Sequence, residues 1–185
     1  MGVVALNCLK AKRTLSFIQN AAGSVPSPFD CWLAHRGLKT LHLRAPAAAR
    51  NALAIAKALD ASSLVLNVNY PGLDDHPDRH IALKQHRDGL GGGMISFRIR
   101  GGRDAAARFC EASKLFTLAE SLGGLESLCE IPAVMTHNAM PREMREKGGI
   151  YDDLIRLSVG VEDTNDLVQD ILEALEVAAK AQVGA

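Results

Sequence analysis

Arg156 stands in the middle of Leu154-Ile155-Arg156-Leu157-Ser158-Val159, an otherwise apolar run. A guanidinium in such a place needs an anion, because an unpaired buried charge is very costly. Two partners would satisfy it: a carboxylate of this same chain, or the carboxylate of a bound ligand gripped by the two-pronged hydrogen bonds of arginine. Glu120-Ser121-Leu122-Gly123-Gly124 follows another apolar segment and ends in a glycine pair, where the backbone either approaches a ligand closely or simply turns. Thr136-His137 lies in a loop before Pro141, its hydroxyl and imidazole capping backbone groups or facing a site. His76 and His80 stand four apart beside Asp74, Asp75 and Asp78, a composition that suits a metal if both rings share one helix face. Pro77 and the surrounding charges read instead as a solvated helix start, and no metal site is assigned. The glycine-rich loop over 89–93 runs into a strand and so lacks the helix amino terminus that holds phosphates. No G-x-S-x-G elbow or cysteine–histidine signature for nucleophilic catalysis stands out.

The elements that must position these residues follow from periodicity. Residues 1–7 read as a short apolar strand and 9–22 as a helix, broken by Gly23-Ser24-Val25-Pro26-Ser27-Pro28 before a second helix near Phe29. Residues 38–59 are helical in composition, with a kink or break expected at Pro46. Leu64, Leu66, Val68 and Tyr70 alternate with Asn67 and Asn69 as a strand, and residues 76–86 form a polar helix. Ile95, Phe97 and Ile99 alternating with Ser96, Arg98 and Arg100 give the clearest strand, followed by a helix through Ala106, Phe109 and Cys110. Residues 115–119 and 154–159 read as two further strands, the latter with Ile155, Leu157 and Val159 on one face and Arg156 and Ser158 on the other. A last helix starts at Glu162-Asp163 and buries Leu167, Val168, Ile171, Leu172 and Leu175. Strands alternating with helices make this an α/β or α+β chain with a sheet of about four strands covered by helices.

With 185 residues, 48% of them hydrophobic, the chain can bury one real core. Lysine plus arginine balance aspartate plus glutamate at 21 each, so there is no overall field to hold a nucleic acid or an anionic membrane. The apolar runs are shorter than a bilayer span, and the start lacks the pattern of a secretory signal; a soluble, cytoplasmic protein is expected. Cys8, Cys31, Cys110 and Cys129 are widely spaced and read as buried free thiols.

Several segments, in order, resemble cystathionine γ-lyase and its trans-sulfuration family. They are Gln19-Asn20-Ala21 with Gly23, Pro26-Ser27-Pro28-Phe29-Asp30-Cys31, Arg36-Gly37-Leu38-Lys39-Thr40-Leu41-His42, and Tyr70-Pro71-Gly72-Leu73. Downstream come the run over 114–124, Pro132-Ala133-Val134-Met135-Thr136-His137, and the run over 154–160. The resemblance implies the carboxyl-terminal part of a fold-type-I pyridoxal-phosphate enzyme, cleaving cystathionine to cysteine, 2-oxobutanoate and ammonia, with the cofactor as electron sink. It implies a remnant of the large, cofactor-binding domain over 1–36 (its last strand and helices) and the small domain over 37–185. By motif position Arg156 binds the substrate α-carboxylate helped by Ser121, Thr136 supports the neighbouring loop, and Glu120 sits near the distal amino group. A glutamate there resembles the cystathionine γ-enzymes, and the 26–31 segment looks more like the lyase than the bacterial synthase, a synthase-like fragment being the alternative.

The family's Schiff-base lysine falls upstream of the strand that here begins at Met1. None of Lys10, Lys12, Lys39, Lys57, Lys84, Lys114, Lys147 or Lys180 lies at the matching place. The expectation is therefore no catalytic or cofactor-binding residue in this chain, pyridoxal phosphate held only by the complete enzyme, and inactivity alone. The resemblance also implies a homo-oligomer, a tetramer built from tight dimers; other expectations are a non-catalytic subunit pairing with a full-length relative, or a free-standing binder of amino-acid carboxylates. Pro46 within the family's long helix, and Tyr151-Asp152-Asp153 in place of a smaller run, are local departures.

Overall fold

The structure is a computed structural model, and it describes residues 1–180. Contacts divide the chain into a first unit, Met1–His42, and a second that starts at Leu43.

In the first unit, α1 (Leu9–Ala22) ends at Gly23, whose φ of 66° is the left-handed conformation that closes a helix; the Gly23 and Ser24 amides donate to the carbonyls of Asn20 and Gln19. The next helix, α2 (Pro28–Leu38), opens with Ser27 Oγ accepting from the Asp30 amide at 3.1 Å and a proline at the first helical position. Neither helix buries a residue. The strand expected over 1–7 is not formed: a strand is held by a neighbour's ladder, and here Val3 and Val4 are exposed with no partner strand beside them.

The second unit is organised by a five-stranded mixed sheet in the order β1-β2-β5-β4-β3, with ranges β1 Val65–Asn69, β2 Met94–Ile99, β3 Thr117–Leu118, β4 Leu128–Glu130 and β5 Leu154–Ser158. All pairings are antiparallel except β3 with β4. Ile95, Phe97 and Ile99 of β2 and Ile155 and Leu157 of β5 form a core with α3 (Leu41–Asp60), α5 (Gly102–Ala112) and α7 (Thr164–Lys180), where Phe97 meets Phe109 edge-on at 5.3 Å. The polar helix is α4 (Arg79–Gln85), and α6 (Arg142–Lys147) precedes β5.

Four further expectations are corrected. The helix runs unbroken through Pro46: the proline removes one backbone bond at a cost of about 3 kcal/mol, and burial of Ala49, Ala52, Ile55, Ala56 and Leu59 along the same helix offsets it. Leu66 is exposed and Val65 buried, because the register slips between Val65 and Asn67 and this bulge breaks the alternation. Leu172 is exposed, since the buried stripe of α7 is Leu167, Ile171, Ala174, Leu175 and Ala178. Cys8, just before α1, and Cys31, on α2, are exposed because neither helix buries anything, whereas Cys110 and Cys129 are in the core. No helix among the described residues is long and apolar enough to cross a membrane.

Candidate functional site

Because β2 and β5 turn their aliphatic side chains to the helices, alternation sends Ser96 and Arg156 to the opposite face. The register lines them up with their neighbours: Asn69 faces Ser96, Ser96 faces Arg156, and Arg156 faces Glu130. A polar row thus crosses four strands of a sheet whose other face is hydrocarbon. Asn69 Nδ2 donates to Ser96 Oγ at 3.4 Å, and Arg156 Nη1 pairs with Glu130 Oε1 at 2.8 Å.

The four residues singled out by resemblance meet around this pair. Arg156 Nη2 donates to the backbone carbonyls of Glu120 at 2.8 Å and Ser121 at 3.1 Å, while the side chains of both residues are exposed. Thr136 Oγ1 lies 3.4 Å from Glu130 Oε1 and 2.8 Å from His137 Nδ1. The segment after β3 is fastened over the row at further points. The Gly123 amide, at a φ of 73° that glycine accepts without strain, donates to Ser158 Oγ at 2.8 Å. Ser127 donates through its amide and hydroxyl to the two oxygens of Glu162, at 2.6 and 2.9 Å, and accepts from the Gly160 amide at 2.9 Å. Gly160 itself lies so close to the Leu125 carbonyl that a Cβ would collide with it.

Of the two partners open to Arg156, the described chain supplies the first, a carboxylate of its own, which the sequence left without a residue number: Glu130. Glu130 is fully buried, and burial pushes its carboxyl above the usual range, against the pull of Arg156 and of the Thr136 hydrogen bond. Glu130 Oε2 and Arg156 Nε are buried without a hydrogen-bond partner. The only local signal was an acidic residue inside the apolar pattern Leu128-Cys129-Glu130-Ile131. With Nη1 on Glu130, Nη2 on two backbone carbonyls and Nε buried, the guanidinium keeps one Nη1 N–H for a further acceptor.

The histidine pair does not converge. His76 Nδ1 accepts from the Asp78 amide at 3.1 Å and Nε2 meets Asn69 Oδ1 at 2.9 Å, and no group of three or more potential ligands is placed to hold a metal among the described residues. Beside it, Arg98 makes two bonds to Asp153, at 2.7 and 3.0 Å, and covers the Tyr151 ring at 3.9 Å, so that arginine is already satisfied.

The family described as Cys/Met metabolism PLP-dependent enzymes matches residues 1–176. A cystathionine gamma-lyase of Saccharomyces cerevisiae is 59% identical over 179 residues, which are 96% of this chain and 45% of that protein. A cystathionine beta-lyase of Lactococcus lactis is 51% identical over 175 residues, 95% of this chain and 45% of the relative. The crystal structure of cystathionine gamma-lyase from yeast superimposes with a TM-score of 0.91 at 59% identity, covering 94% of this chain and 44% of that one. The chain therefore spans less than half the length of the curated relatives it matches.

The described residues do not fit pyridoxal phosphate as a covalent guest. An imine with its aldehyde requires a lysine whose ammonium is readily deprotonated, usually by burial or a cationic neighbour. All eight lysines are exposed, and Lys114 pairs with Glu173 at 2.9 Å, which holds its ammonium charged. Lys12 borders a cavity of about 750 Å³ in the first unit, but that lining holds neither an arginine for the phosphate nor an aromatic ring to stack on the pyridine.

Proposed function

Because this chain belongs to the Cys/Met-metabolism PLP-dependent enzyme family, we propose that it is the carboxyl-terminal part of a cystathionine γ-lyase-like enzyme, contributing the seat for the substrate α-carboxylate rather than the cofactor. The complete enzyme would cleave cystathionine to cysteine, 2-oxobutanoate and ammonia, in the cytoplasm. The observation that carries this reading is Arg156, set mid-strand on the polar face with the carbonyls of Glu120 and Ser121 on its Nη2 and Thr136 beside its partner Glu130. In this role Arg156 grips the carboxylate. Ser121 adds a hydroxyl, Glu120 faces the distal amino group, and Thr136 steadies the loop. We assign residues 1–36 to the large domain and 37–185 to the small one.

The test joins this chain in one polypeptide to the amino-terminal part of the Saccharomyces cerevisiae relative and measures cysteine release from L-cystathionine in the presence of pyridoxal phosphate. Release is expected. Arg156→Ala should lower kcat/KM by roughly a hundredfold or more, through the loss of a charge-assisted contact and of the partner of Glu130. A chimera that folds and takes up the cofactor yet leaves cystathionine intact would refute the reading.

A second reading is that the chain pairs with a full-length relative through the family's oligomer surfaces. It is favoured by the exposed Val3, Phe17, Phe29 and Trp32 of the first unit, more apolar surface than a helix pair leaves to water when it stands alone. Co-purification with the full-length protein tests it, and a monodisperse monomer indifferent to that protein would end it.

A further inference from the structure

Glu130 is a fully buried carboxylate that the carboxylate seat leaves unexplained. A clamp serving only to neutralise Arg156 would close on two parallel hydrogen bonds, the strongest geometry for an arginine and a carboxylate. Here one such bond is made, from Nη1 to Oε1 at 2.8 Å, while Nε and Oε2 are left buried without partners. A ligand carboxylate arriving at this guanidinium brings a second negative charge to a single positive one, beside a carboxylate that water does not reach. Two carboxylates sharing such a site do not both stay ionised, and the one with the drier surroundings takes the proton. Burial already pushes Glu130 above the ordinary carboxylate range.

A route for that proton is built in. The Thr136 hydroxyl donates to Glu130 Oε1 at 3.4 Å and lies 2.8 Å from His137 Nδ1, so the Nδ1–H tautomer of His137 completes a hydrogen-bonded chain from a half-buried imidazole to the buried carboxylate. The charged and titratable groups facing Glu130 are Arg156 from β5, Glu120 from the segment after β3, and His137 from the turn after β4. Glu120 favours the protonated form; Arg156 and a charged His137 oppose it, and a ligand carboxylate on Arg156 cancels the larger of these two.

Resting on the proposed role of Arg156, we propose that Glu130 is its positioning residue and proton partner: it holds the guanidinium through Nη1 and takes up one proton when a carboxylate ligand sits on Arg156. The proton comes from solvent by way of His137 and Thr136, forms one O–H bond on Glu130, and returns by the same path on release. No other bond is made or broken.

The test follows Glu130 in the 185-residue chain. Its side-chain carboxyl, labelled with carbon-13 and assigned through its own backbone, is titrated with pH without and with sodium formate, sodium chloride serving as the ionic-strength control. Formate is expected to raise the Glu130 midpoint by about one pH unit, so that formate binds about tenfold more tightly below the midpoint than above it. In Glu130→Gln that dependence should vanish while binding remains. Arg156-dependent formate binding that leaves the Glu130 midpoint unmoved would overturn the proton coupling and leave the seat standing. No effect of formate at any pH, with Arg156→Ala behaving like the parent chain, would refute the seat and the coupling together.

Discussion

Replacing Arg156 with alanine leaves Glu130 fully buried with only the long hydrogen bond from Thr136. An isolated buried carboxylate is so unfavourable that it accepts a proton instead, and this limits what the substitution can cost through charge. Keeping a carboxyl protonated above its ordinary pKa of 4.5 costs about 1.4 kcal/mol per pH unit, hence at most about 3.4 kcal/mol at pH 7 and about 0.7 kcal/mol at pH 5. The sign is fixed. In the variant the folded state binds this proton more tightly than the unfolded state, so stability falls as pH rises from the unfolded pKa toward the raised folded one, and levels off beyond it. Urea unfolding of the parent chain, Arg156→Ala and the Arg156→Ala/Glu130→Gln double variant, each at pH 5 and pH 7, measures this directly. The single variant should lose up to about 2.7 kcal/mol more at pH 7 than at pH 5 relative to the parent, and the double variant should abolish most of that difference. Equal losses at the two pH values would mean that Glu130 stays ionised without Arg156, and the account of the pair would be wrong.

Tyr70 is fully buried, with its hydroxyl 3.1 Å from the Ala49 carbonyl and 2.9 Å from that of Gly92. Tyr70→Phe should therefore cost about 1 to 2 kcal/mol in urea unfolding. Burial, partly countered by Arg79, pushes the Tyr70 hydroxyl up to about 12, so the folded state holds a proton that the unfolded state releases near 10. Stability should then decline between those values in the parent chain and less steeply in the variant. The cysteines divide by position: Cys8 and Cys31 should react with a disulfide reagent in the folded chain, and Cys110 and Cys129 only on unfolding. The hydrogen bond between Cys110 and Cys129, and then burial, push the Cys110 thiol up and add to its inertness; four thiols reacting at one rate would contradict the core placement.

What the sequence made legible were patterns long enough to repeat. In β2, Ile95, Phe97 and Ile99 declare a face, and the helical spacing of 9–22 coincides with α1. β4 has three residues, too few for alternation to emerge, and so both a strand and the carboxylate at its end were lost together. The requirement that Arg156 meet an anion was readable from its apolar neighbours. Which anion was not, because Glu130 reaches it only through the β4–β5 register, a long-range pairing with no local signature. Leu66 shows the same limit from the other side: one bulge reverses the face of a residue whose spacing was right.

Arg156 is anchored by main chain and by one buried carboxylate. Its Nη2 engages the main-chain carbonyls of Glu120 and Ser121, not their side chains, and its Nη1 engages Glu130 from inside the sheet. The segment bearing those carbonyls is in turn fixed by groups outside the row: Ser158 on the Gly123 amide, and Glu162 on Ser127. The side chains of Glu120 and Ser121 are consequently free of structural duty, exposed on a backbone that stays put when they change. Glu120→Gln, which keeps shape and removes charge, is therefore expected to leave the Arg156 hydrogen bonds in place while removing a negative charge that favours the protonated form of Glu130. A substitution at Ser127 or Glu162 instead loosens the segment whose carbonyls the arginine holds.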